Sequence, residues 1–365
     1  MSAAVAAFVA FAGVAGLLRF ARYVPRVRAR FMTRIALRHT ATLLAVLGVA
    51  LSIAAPFLLG KHDVLSGLRN IAWPVFAVLA ASALFSAAAK AGKLQLMQGA
   101  LGLRLHFMRT LTITVVTDFA FLVSPLGAAG YGVNMGLLQR SGASWALATT
   151  VVGADQALDL TFFAIAVPVS LLFALGPLGA LTPDFPLHTI AVTLACIAIT
   201  AVVLWTARRP ALAALDAATR RVVWLKARRA RWNRFRQSVR QQWGLLLSGP
   251  HWRLAALLLL TMLQWLLRYS ALWFILRELG YRLPLGFVLA VQAVVLHAAL
   301  WTGVPAGGGG GDLGLAAVFA PWVPGASMAT ALVLWRFATL YCPLMLGACG
   351  FIGAAWRRRT AASVS

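Results

Sequence analysis

The chain of 365 residues is 61% hydrophobic and only 11% charged, with a mean hydropathy of +0.85. Too little polar surface remains to face water, which excludes an ordinary soluble domain of this length. The formal net charge of +25 would suit a nucleic-acid binder, but it sits between apolar runs, so the partner is read as a membrane and not nucleic acid.

A membrane crossing needs about 20 mostly apolar residues. The sequence predicts seven, at about 3–18, 39–60, 70–89, 145–173, 187–206, 253–276 and 326–352. The first run, Ala3 to Leu18, has no basic residue before it and is followed by Arg19, Arg22 and Arg26. It reads as an N-out anchor, with an interfacial helix as the alternative for so short a run. Of the 33 Lys and Arg residues, seven follow in 19–38, four in 90–109, eleven in 208–240, and three form the cluster Arg357, Arg358 and Arg359. The loops 61–69 and 174–186 hold only Lys61 and Arg69. This asymmetry places the basic segments and the C-terminus in the cytoplasm and the N-terminus outside.

The expected organisation is an anchor and basic linker at 1–38, a first membrane half at 39–206 and a basic cytoplasmic loop at 207–252. A second membrane half at 253–352 and a tail at 353–365 follow. Trp224 and Trp232 are interleaved with the cations of 208–240, a pattern suited to lying on an anionic leaflet.

Two further apolar stretches are not simple crossings. If 107–140 crossed once, Arg140 would lie outside and every later basic loop would change sides. A re-entrant hairpin restores consistency: it enters along Phe107 to Val123, breaks from Ser124 on, with Pro125, Gly127 and Gly130 as breakers, and returns along Gly130 to Arg140. The second, 285–320, enters along Leu285 to Trp301, breaks over Val304 to Gly314, with Pro305, Gly307 and Gly309 as breakers, and returns along Leu315 to Phe319. Pro removes a backbone donor and Gly weakens helix, so the chain unwinds at both places. Lipid tolerates that only where protein or a cavity surrounds it. The first hairpin is expected to enter from the cytoplasm and the second from outside, which gives an all-α protein of about seven spans with inverted-repeat architecture.

The charges inside apolar stretches carry the chemistry. Of eight acidic residues, Asp118, Asp155, Asp159 and Asp312 lie there, and each costs several kcal/mol in lipid unless paired. Asp155 and Asp159 share a helix face at a spacing of four. Arg268 and Arg336 are the expected partners, either as clamps between the halves or as contacts to a lipid headgroup. Asp155, Asp159, Arg268, Asp312 and Arg336 are therefore the candidate substrate-binding residues. Cys196, Cys342 and Cys349 fall in apolar spans with no CxxC pair, and the six His residues are dispersed. No metal site or cofactor is predicted. The run Gly307 to Gly311 lacks the GK[ST] of a phosphate loop. Gly309-Gly310-Gly311-Asp312 also reads as G-x-G-D, the pattern of intramembrane aspartyl proteases, which is the enzyme alternative.

Pro305-Ala306-Gly307-Gly308-Gly309-Gly310-Gly311-Asp312 resembles the Pro-Gly-Gly-Leu-Gly-x-x-Glu segment of the lysylphosphatidylglycerol synthase transmembrane region, the flippase-like domain family. Asp312 takes the place of Glu and Ala306 that of a Gly. Pro125, Gly127, Gly130, Tyr131 and Asn134 are similar to a second signature, Pro-Gly-x-x-Gly-Glu-x-x-Arg, with Tyr131 for Glu and Asn134 for Arg. Ala146-Leu147-Ala148-Thr149 and Asp155-Gln156-Ala157-Leu158-Asp159-Leu160 resemble the two parts of Ala-Leu-Ala-Thr-x-x-x-Glu-Arg-x-x-Asp-Leu, with Asp155-Gln156 for Glu-Arg and a longer spacer between the parts. The resemblance spans about 40–352 and implies a non-enzymatic membrane region that moves or supplies polar-headgroup or anionic lipids in a bacterial cytoplasmic membrane. A third expectation is a non-transporting partner of a separately encoded lipid-modifying enzyme.

Overall fold

The computed structural model describes residues 63–181, 229–300 and 304–362, together with the single residues 50 and 54. The expected spans 3–18, 39–60 and 187–206, the basic stretches 19–38 and 208–228, and Cys196 lie outside the described residues. Within them the chain is helical: α1 (Asp63–Arg69), α2 (Trp73–Ala100), α3 (Phe107–Leu122), α4 (Ala128–Arg140), α5 (Trp145–Leu181), α6 (Arg229–Leu247), α7 (His251–Glu278), α8 (Leu285–Leu300), α9 (Gly310–Phe319), α10 (Gly325–Arg336) and α11 (Cys342–Ala362). A π-helical turn, Phe337–Tyr341, joins α10 to α11.

Among the described residues, four helices are long and apolar enough to cross a membrane: Trp73–Ala100, Trp145–Ala174, His251–Glu278 and Gly325–Gly350. They correspond to the expected spans 70–89, 145–173, 253–276 and 326–352. Large apolar side chains on their outer faces are exposed, among them Phe85, Leu160, Phe173 and Leu259, as expected where the surrounding medium is lipid.

α2 and α7 form the central pair. Ser82 Oγ donates to the Leu267 carbonyl at 2.6 Å and Ser86 Oγ to the Gln264 carbonyl at 3.0 Å, so small polar side chains join these helices. Both helices end in a left-handed glycine, Gly102 (φ 84°) and Gly280 (φ 94°). The following N–H in each case caps an orphan carbonyl, Leu103 to Gln98 and Tyr281 to Leu276. Two apolar clusters lie at opposite ends of the pair. One gathers Leu94, Met97, Ile113, Leu138, Val151 and Leu257; the other gathers Leu79, Leu272, Leu315, Phe319, Leu332 and Trp335.

Two helices cross over between the halves. α3 of the first half packs on α11 of the second, and α8 of the second packs on α5 of the first. Both contacts depend on a glycine. A Cβ on Gly347 would stand 2.7 Å from the Val115 carbonyl oxygen, and one on Gly286 would stand 2.4 Å from the Ser170 carbonyl oxygen.

Two corrections to the sequence reading concern helix ends. Lys90 and Lys93, counted there with a basic loop, lie inside α2, which runs to Ala100 before a breaker is met. α9 begins at Gly310, so the second break is shorter than Val304 to Gly314. Gly311 and Gly314 are helical, and a Cβ there would meet Leu296 at 3.2 Å and Val295 at 2.8 Å. Close packing on α8 offsets the roughly 1 kcal/mol that each glycine costs a helix.

Candidate functional site

α3 and α4 are separated by the turn Pro125–Gly127, and α8 and α9 by the turn Pro305–Gly307 with Gly308 and Gly309. The two turns share one backbone conformation. Leu126 (φ 54°, ψ 13°) and Ala306 (φ 55°, ψ 16°) are the non-glycine residues with positive φ among those described, and each is followed by a left-handed glycine, Gly127 and Gly307. Left-handed backbone at a non-glycine residue costs about 1–2 kcal/mol, so tertiary packing holds both turns in place. The two breaks lie against each other. Four of the six sequence-predicted breakers, Pro125, Gly127, Pro305 and Gly307, form these turns, and Gly309 precedes α9. Gly130 does not break the chain: it is helical, and a Cβ there would stand 2.3 Å from Cγ of Phe121. Its role is the close approach of α4 to α3.

Beside the second break, Arg336 and Asp312 form a buried bidentate pair, Nε to Oδ1 and Nη2 to Oδ2, both at 2.7 Å. Arg336 Nη1 also donates to the Ala306 carbonyl at 3.2 Å, and Asp312 Oδ2 accepts from the Gly309 N–H at 3.1 Å. One guanidinium thus holds the strained turn and the start of α9 together. Asp312 and Arg336 both belong to the second membrane half, so this pair ties a turn to its own half and does not join one half to the other. Aspartyl-protease chemistry needs two carboxylates sharing a proton, whereas both Asp312 oxygens are engaged by Arg336.

Asp155 and Asp159 do not meet Arg268 or Arg336. Their cation is Lys93, which is fully buried, 2.6 Å from Asp155 Oδ1 and 2.8 Å from Asp159 Oδ1. Trp265 Nε1 adds a hydrogen bond to Asp159 Oδ1 at 3.0 Å. One helical turn earlier on α2, Lys90 pairs with Asp118 of α3 at 2.5 Å and lies 5.6 Å over the Phe121 ring. Two ammonium groups thus meet three carboxylates. Sequence reasoning missed both lysines because hydropathy falls at each of them. Their spacing of three within an unbroken helix was the available signal.

Arg268 stands apart. Its Nη2 donates to the carbonyl of Thr339 at 3.2 Å, in the π turn, where irregular winding leaves carbonyls open to side chains. With Asp118, Ser82 and Thr339, Arg268 lines a cleft between α2, α3, α7 and the π turn. The five candidate residues therefore occupy three places, not one site: the Lys93 cluster, the Arg336 clamp and the Arg268 cleft. No group of three or more His, Cys, Asp or Glu placed to hold a metal occurs among the described residues.

Tyr131 and Gln156, two positions at which the resemblance loses charge, touch each other: Tyr131 Oη donates to Gln156 Oε1 at 3.0 Å. A neutral hydrogen bond between α4 and α5 stands where the family pattern has Glu and Arg.

Comparison with known proteins gives the family. The family model described as the lysylphosphatidylglycerol synthase TM region matches residues 45–347. A UPF0104 membrane protein from Archaeoglobus fulgidus is 24% identical over 265 residues, which are 70% of this chain and 79% of the relative. The chain is thus a polytopic helical membrane protein that belongs to the lysylphosphatidylglycerol synthase transmembrane-region family.

Proposed function

We infer that the protein moves a polar-headgroup lipid between the leaflets of a bacterial cytoplasmic membrane, with its basic segments and C-terminus on the cytoplasmic side. The observation that carries this reading is the meeting of two like-shaped helix breaks beside buried charges. A headgroup crossing hydrocarbon must be sheltered from it, and unwound backbone is tolerated at that depth only where protein or a cavity surrounds it. At 1.5 Å per residue, α3 and α8, of 16 residues each, reach about 24 Å, and α9, of 10 residues, about 15 Å. Both breaks then fall within a hydrocarbon core of about 30 Å.

In this reading each helix–break–helix unit is a re-entrant hairpin, and the two halves are inverted repeats. The reciprocal packing of α3 on α11 and α8 on α5 supports that symmetry. The headgroup passes along the line of breaks and ion pairs while the acyl chains stay in lipid. Rocking of one half against the other exposes the path to each side in turn.

The test is reconstitution into liposomes carrying fluorescent or aminoacylated lipids, followed by a leaflet-selective quench. The wild type is expected to move lipid, and the double variant Asp159→Asn, Asp312→Asn to lose most of that movement. Equal movement by both would refute the role given to these charges.

A further inference from the structure

We propose that the cleft between α2, α3, α7 and the π turn binds a zwitterionic phospholipid headgroup, its phosphate at Arg268 and its primary ammonium at Asp118. A guanidinium has five N–H donors. Among the described residues the one hydrogen bond of Arg268 is that from Nη2 to the Thr339 carbonyl, and it has no carboxylate partner. Its contact with Trp265, 5.9 Å from the ring centroid, holds the plane of the side chain without using a donor. Open donors on a half-buried cation call for an oxyanion, and the planar fork of Arg suits a phosphate.

On the same cleft, Asp118 gives Oδ1 to Lys90, while Oδ2 has no hydrogen-bond partner among the described residues. A phosphate alone would bring its charge beside this carboxylate. A headgroup that also carries an ammonium satisfies both walls. The cleft hydroxyls do not compete for the phosphate, because Ser82, Ser86 and Thr339 donate to the carbonyls of Leu267, Gln264 and Trp335. The rest of the lining is apolar, including Ala83, Ala87, Val115 and Leu346; the cleft is small, so it takes the charged groups, with the glycerol end and the first methylenes at its mouth. A quaternary ammonium has no N–H to give Asp118, so an ethanolamine-type headgroup fits better than a choline-type one.

This site names the ligand class for the lipid-handling reading and rests on it. Equilibrium binding to the detergent-purified full chain separates the two. The probes are short-chain phosphatidylethanolamine, phosphatidylglycerol and phosphatidylcholine, with glycerophosphoethanolamine as the soluble counterpart. Phosphatidylethanolamine is expected to bind at least tenfold more tightly than the other three. Arg268→Gln should weaken it tenfold or more, and Asp118→Asn should abolish the preference over phosphatidylglycerol. Ala87→Leu fills the cleft without touching a charge, should weaken phosphatidylethanolamine as much, and decides the matter if Asp118→Asn does not fold. Equal binding of the three lipids, or unchanged binding by Ala87→Leu, overturns the proposal. Glycerophosphoethanolamine binding as tightly as the lipid overturns its lipid source. Binding as predicted by a protein that moves no lipid leaves this site standing and refutes transport alone.

Discussion

Lys93 is the residue on which the interior charge depends. With no exposed surface and two carboxylates within 2.8 Å, it is retained because a buried carboxylate without a counter-ion costs far more than the pair. Lys93→Met should therefore destabilise the protein by about 3–5 kcal/mol, read as a lower thermal midpoint in detergent. Adding Asp155→Asn should recover part of the loss, since the two residues share one interaction; strictly additive losses would contradict the cluster. Strain at the second break makes the opposite kind of prediction. Ala306 holds φ 55°, so Ala306→Gly should raise stability by about 1 kcal/mol, and an unchanged or lower midpoint would contradict the assigned conformation. The glycine at this place in the family segment is consistent with that direction. Acidic residues inside apolar runs were legible from composition because so few exist. Their partners were not: Lys93 meets Asp155 and Asp159 across more than 60 residues of sequence, and only packing of α2 on α5 joins them.

At the scale of elements, the reciprocal crossings of α3 on α11 and α8 on α5 hold the halves together. Gly347 and Gly286 let backbone approach backbone there, and a carbonyl cannot step aside as a side chain can. Gly347→Val and Gly286→Val should each destabilise by about 1–3 kcal/mol, measured by the same thermal midpoint, whereas the change Gly132→Val, where a Cβ meets nothing within 4 Å, should cost less. Equal effects at all three would contradict these crossings. The four long apolar helices were legible because a crossing demands an uninterrupted apolar run. The breaks were legible from Pro and Gly, but their limits were not. Gly310, Gly311 and Gly314 read as loop because glycine weakens helix in isolation, yet α8 packs closely enough to keep them helical. Gly130 misled in the same way, and its ring contact with Phe121 was invisible in the sequence.

For the whole molecule, the structure links the cleft to the break through one helix. Arg268 holds the Thr339 carbonyl in the π turn, and Arg336, three residues before Thr339, holds Asp312 and the Ala306 carbonyl. A headgroup drawing Arg268 away would release a carbonyl in the turn that follows the clamp, which is how occupancy of the cleft would reach the paired breaks. Under the proposed function, lipid passage would require the two breaks to part. The direct measurement uses a variant with Cys196, Cys342 and Cys349 replaced and cysteines at Leu126 and Ala306, joined by a reducible crosslinker and reconstituted into liposomes. Lipid movement is predicted to stop on crosslinking and return on reduction. Movement at the same rate with the breaks joined would contradict the account.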